Sequence, residues 1–172
     1  MHPNSMTTFR HTWLKAVTAV SICLLAAVIV VLICLPQLLV VKDAENGRIY
    51  MVSRCPEGTE FLVEFTHSVN LSPVIDTFRA EGGEIRAVKA KFYAFGAGMP
   101  TELNPGESFA FTEDGAMEIS GITRTYDRLS YIVGTVFDYY LTIDGTTTNL
   151  RQLCGRNAHV EILLFGGWVN KG

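Results

Sequence analysis

The sequence predicts a mainly β protein, an antiparallel β-sandwich or partly open barrel preceded by one N-terminal transmembrane helix. Three observations carry that expectation. Residues 16–41 form a stretch of 26 residues without a charge. Beyond it no helix-period hydrophobic pattern of useful length occurs, and short runs rich in β-branched and aromatic residues recur instead. Strong turn formers such as Asp114-Gly115 and Asp144-Gly145, the residue pairs of tight two-residue hairpins, separate those runs.

The uncharged stretch comes first. A bilayer core is about 30 Å thick and takes roughly 20 helical residues to cross. Residues 16–35 supply that length, and Pro36 stands where a helix can stop. A cleaved signal peptide has a shorter apolar region and a small-residue cleavage site. Leu38-Leu39-Val40-Val41 offers no such site, and Ile22 and Ile33 precede Cys23 and Cys34 where lipoprotein processing needs a small residue. The expected organisation is a cytoplasmic tail at 1–15, a retained anchor at 16–41 and an extracytoplasmic domain at 42–172; the alternative is a signal peptide with an atypical cut. Orientation is read from Arg10 and Lys15 before the run, with no acid before Asp43. This makes the chain a single-pass membrane protein with its N-terminus in the cytoplasm and the domain outside. Trp13 sits where interfacial aromatics sit.

The remaining residues suffice for one domain with a core and are too few for two. From Asp43 onward 17 acidic side chains face 11 basic ones, a balance that repels phosphate and argues against a nucleic-acid partner. Strands are expected at 48–54, 60–67, 74–81, 84–95, 108–112, 116–120, 122–126, 129–133, 138–143, 146–153 and 159–165. Alternation puts Phe61, Val63 and Phe65 on one face with His67, and Val88, Ala90, Phe92 and Ala94 on another. Phe109 with Phe111, Met117 with Ile119, and Val160, Ile162 with Leu164 are further inward sets. Leu163 and Phe165 lie on the second face of the last strand, which is then buried on both sides or covered by a partner.

Chemistry concentrates in two places. His67 and Ser68 end one strand, and Asp76 follows across a turn, opposite or diagonal to His67 depending on register. A His–Asp pair would fix a tautomer; the plainer alternative is a half-buried histidine that caps the strand end by hydrogen bonding. His67 does not readily activate Ser68, because adjacent strand residues point to opposite faces, and no G-x-S-x-G or S-x-x-K motif is present. No catalytic residue and no cofactor is therefore expected. Nor is a metal site, since His67, Asp76, His159 and Glu161 lack diagnostic ligand spacing. Gly96, Gly98 and Pro100 follow a long apolar strand, where they suit either an anion nest or a strand-ending turn. Cys23 and Cys34 read as small apolar residues of the membrane run. Cys55 and Cys154 are natural disulfide partners in an oxidising compartment, or else separate buried thiols.

The segments Phe65-Thr66-His67-Ser68-Val69, Pro73-Val74 and Phe95-Gly96-Ala97-Gly98-Met99-Pro100 resemble a small bacterial family classed as a domain of unknown function. Its members are often encoded beside TAXI-type TRAP transporters, secondary transporters that receive solute from an extracytoplasmic binding protein. The resemblance covers residues 49–164, and the family pattern often has glutamate where this chain has Asp76. It implies a context and no reaction, and together with the anchor it implies the inner (cytoplasmic) membrane of a bacterium. The expected role is a non-enzymatic, membrane-anchored accessory protein that contacts the transporter's membrane subunit or its solute-binding protein. The alternative is an extracytoplasmic ligand-binding or sensing module, with His67, Asp76 and the Gly96–Gly98 segment around one pocket.

Overall fold

The computed structural model describes residues 5–34, 36–94 and 102–166, and the chain divides into an N-terminal unit and a β domain. The described residues of the N-terminal unit form one helix, α1 (Ser5–Cys34), of 30 residues. Thirty residues of α-helix extend about 45 Å, more than a bilayer core requires. Its most apolar window, Trp13–Val30, has a mean hydropathy of 2.3 and buries none of its residues within the protein. By length and composition it is long and apolar enough to cross a membrane, a test that membrane anchors and signal sequences both pass.

The helix is shorter than the apolar run implies. Helix ends at Cys34, and Leu38–Asp43 is a strand, β1, whose Leu39 and Val41 are fully buried in the β domain. Pro36 disfavours helix in the residue before it, and the two valines that follow suit a strand. An apolar run of this kind reads alike as membrane helix or buried strand, which is why residues 36–41 were expected in the anchor.

Two antiparallel sheets build the domain, and they do not close into a barrel. The first joins β1, β2 (Ile49–Arg54), β9 (Arg128–Ile132) and β12 (His159–Phe165) in the order β2-β1-β12-β9. The second runs β11 (Thr146–Asn149), β10 (Tyr139–Ile143), β3 (Glu60–Thr66), β4 (Pro73–Glu81), β5 (Glu84–Phe92), β7 (Met117–Ser120) and β6 (Ser108–Phe111). The two-residue β8 (Thr125–Tyr126) pairs with the start of β5. Leu39, Val41, Leu129, Val160 and Ile162 of the first sheet join Phe61, Val63, Phe78, Ile85, Leu141 and Ile143 of the second in one core cluster. A smaller cluster of Val74, Phe92, Met117 and Ile119 lies toward one end of the second sheet.

Turn chemistry explains the hairpins. Asp144 and Gly145 both have positive φ, 47° and 72°, as a two-residue hairpin between β10 and β11 requires. Three strand expectations change. Residues 150–153 are helix, not strand: the Asn149 side chain accepts from the Gln152 backbone N–H at 3.1 Å and caps α2 (Leu150–Cys154). Phe109 and Phe111 do not point into the core. β6 is the outermost strand and is exposed throughout, and the two rings meet edge to face at 5.3 Å. In β5 a register shift opposite Thr77/Phe78 pairs Thr77 with Lys89 and Phe78 with Ala87, leaving Val88 as an extra residue. One inserted residue reverses the inward set, so Ile85 and Ala87 are buried where alternation assigned Val88.

Candidate functional site

The bulge in β5 opens the sheet. Before it β5 pairs with β8, with Ile85 opposite Tyr126; after it β5 pairs with β7, Lys89 through Phe92 opposite Ser120 through Met117. A cleft of about 200 Å³ occupies the fork. Phe78, Ile119, Ile122 and Tyr126 give it apolar walls, Lys89, Arg124 and Glu107 bring charge to it, and Asp76 also lines it. Gly121 fixes one rim. Its φ is +76°, and a Cβ there would stand 2.4 Å from the Gly106 carbonyl oxygen, so only glycine lets the turn bearing Asn104 and Glu107 approach.

Asp76 is the unusual residue of this cleft. It pairs across the sheet with Val63 on one side and Ala90 on the other. It occupies the inward position between Val74 and Phe78, where the two core clusters meet. Among the described residues it has no hydrogen-bond or ion-pair partner. Burial alone raises its carboxyl pKa from 3.8 to about 6. Across the sandwich, Tyr131 of β9 feels the same environment: burial and then the Asp76 charge push its phenol pKa up. Tyr131 in turn packs with Phe65 and Tyr139, at ring distances of 6.3 and 6.1 Å.

The structure does not bring His67 to Asp76. Register places Thr66 opposite Pro73 and hydrogen-bonds the His67 N–H to the Ser72 carbonyl, so Asp76 lies four residues further along β4. That separation is about 13 Å of strand. His67 caps the turn instead, its Nδ1 accepting from the backbone N–H groups of Val69 and Asn70 at 3.3 and 3.4 Å. Together with the exposed Ser68 it borders a different cleft, of about 500 Å³, with Phe65, Tyr139 and residues 134–137. His67→Ala is expected to cost about 1 kcal/mol in denaturant unfolding, as a lost local cap does, and to leave the Asp76 cleft intact. A loss of 3 kcal/mol or more, on the scale of a core cavity, would assign it a larger structural role.

Gly96, Gly98 and Pro100 lie outside the described residues. The four side chains weighed as metal ligands are dispersed. His159 Nε2 shares a 2.8 Å hydrogen bond with Ser130, and Glu161 pairs with Lys42 at 3.0 Å and Arg128 at 3.4 Å, all on the outer face of the first sheet. Among the described residues no group of three or more His, Cys, Asp or Glu converges. Cys55 and Cys154 stand as free thiols, Cys55 fully buried, and burial raises both to about 11. Both are expected to resist alkylation at neutral pH until the protein is unfolded. A shift in gel mobility on reduction would instead show them paired.

Residues 61–150, more than half of the chain, match the family described as a domain of unknown function, DUF1850. The chain belongs to the DUF1850 family. Searches of curated proteins and of solved structures return no match. The DUF1850 match begins in β3 and ends at the start of α2, so it contains Asp76, His67, Lys89, Glu107, Arg124, Tyr126 and Tyr131. Of these, the last five were not singled out from sequence. Asp76 was, yet its legible signal was a different one: an acid at an inward position between Val74 and Phe78, on an otherwise apolar strand face.

Proposed function

We propose that this DUF1850 protein is a non-enzymatic, membrane-anchored accessory protein of a TRAP-type solute uptake system. Its N-terminus lies in the cytoplasm and its sandwich outside the cytoplasmic membrane, in contact with the transporter's membrane subunit or its solute-binding protein. The observation that carries this reading is the outer face of the first sheet. Val52, Val40 and Leu163 form one row across three strands, with Leu38 beside Phe165 in the next. Val52 is 51% and Phe165 59% exposed. A contiguous apolar patch on a sheet face, bordered by Lys42, Glu161 and Arg128, is the kind of surface that partners cover. Family context supports the choice of partner, and the flanking charges of α1 support the orientation.

The test is co-purification of the tagged full chain from native membranes. The transporter subunit or the binding protein is expected to accompany it, and Val52→Lys with Phe165→Glu is expected to release the partner. Recovery of neither from wild-type membranes would overturn the proposal. The Asp76 cleft favours a second reading, an extracytoplasmic module that binds or senses a small ligand. The expected common pocket with His67 is replaced in it by the fork between β7 and β8.

A further inference from the structure

Charge commitments around the fork are unequal. Glu107 is occupied, accepting from the Asn104 backbone N–H and side-chain amide, both at 2.9 Å. Lys89 faces Glu118 at 3.5 Å. Arg124 is exposed: it donates one long hydrogen bond to the Tyr126 hydroxyl at 3.4 Å and among the described residues otherwise feels only the charge of Glu107, whose oxygens are taken by Asn104. Asp76 makes no hydrogen bond or ion pair among the described residues. The two groups with most bonding capacity left are therefore a carboxylate inside the cleft and a guanidinium on its exposed rim. An inward carboxylate without a countercharge is costly, and an incoming cation removes that cost. An anion alone would meet Asp76 and be repelled.

Shape and walls agree with charge. The cleft holds about 200 Å³, the scale of an amino acid and below that of drug-sized pockets. Phe78 and Tyr126, both in its lining, meet edge to face with centroids 6.5 Å apart. Aromatic side chains lining the same cleft as a carboxylate suit an ammonium group.

We infer that the Asp76 cleft binds a small zwitterion, with its protonated amine on the Asp76 carboxylate and its acidic group toward Arg124. The inference rests on the ligand-binding reading and names its substrate class; it does not depend on a transporter partner. It leaves His67 and Ser68 outside the site.

The experiment measures melting shifts and calorimetric affinities of the full chain in detergent micelles. The probes are the common α-amino acids, 4-aminobutyrate and β-alanine, with butylamine and butyrate as single-charge halves. At least one zwitterion is expected to bind, about tenfold more tightly than butylamine, with butyrate inert. Asp76→Asn should abolish binding, and Arg124→Gln, an exposed change, should remove the advantage over butylamine. Binding of butyrate as tight as that of every zwitterion would leave a ligand-binding module standing and overturn this assignment. Undiminished zwitterion binding by Asp76→Asn would also overturn it. No binding by any compound up to on the order of 10 mM would overturn both.

Discussion

Asp76→Asn is expected to make the protein more stable near neutral pH. In the folded chain the Asp76 carboxyl ionises at about 6, above its ordinary 3.8, because it is desolvated without compensation. A group whose folded pKa is raised contributes stability that is fully present below the unfolded value and is lost as pH rises through the folded one. Wild type therefore loses stability between about pH 4 and pH 7 through this residue, and the separation of the two values corresponds to about 3 kcal/mol. Asparagine removes the charge and keeps the size, though its amide is also without a partner, so the expected gain is about 2 kcal/mol at neutral pH. The groups facing Asp76 do not reproduce this slope. Arg124 on the cleft rim and Tyr131 across the sandwich are both pushed up, away from that range. Glu107 is held below the ordinary range by its hydrogen bonds with Asn104. Denaturant unfolding of both proteins at several pH values is the measurement, and a variant less stable than wild type at neutral pH would contradict the account. Stability gained by removing one inward charge is the mark of a residue kept for binding.

Leu39→Ala is expected to cost about 3 kcal/mol, the cost of a cavity at a core leucine. Leu39 is fully buried and lies between Ser53 of β2 and Leu164 of β12. Leu24, in the middle of α1, is 64% exposed within the protein. The paired control Leu24→Ala should leave unfolding of the β domain unchanged. Equal behaviour of the two variants would place residue 39 in the apolar helix, as composition alone suggests, and remove β1 from the sandwich.

That contrast marks where the sequence is readable and where it is not. Strands with alternating faces and good turn residues, such as Phe61-Leu62-Val63 or the Asp144-Gly145 hairpin, declare themselves because period and turn chemistry are local. β1 does not, since Leu38 to Val41 continues an apolar run and only its pairing with β2 and β12 makes it a strand. The bulge at Val88 is equally silent: it depends on β5 serving two neighbours, β8 and β7, with different registers. The candidate site inherits that difficulty. Asp76 can be suspected from its inward position, whereas Arg124, Glu107 and Tyr131 reach its surroundings only through chain reversals and sheet stacking. The proximity of His67 to Asp76 in sequence misleads for the opposite reason, since the hairpin carries them apart along the strand.

The most direct test is the titration of the Asp76 side chain itself, followed by NMR of the full chain carrying aspartate labelled with ¹³C at the side-chain carboxyl. The account predicts one carboxyl resonance with a midpoint near 6, absent from Asp76→Asn and assigned by that absence. An Asp76 resonance with a midpoint at or below the ordinary 3.8 would show a solvated or already paired carboxylate and contradict the account.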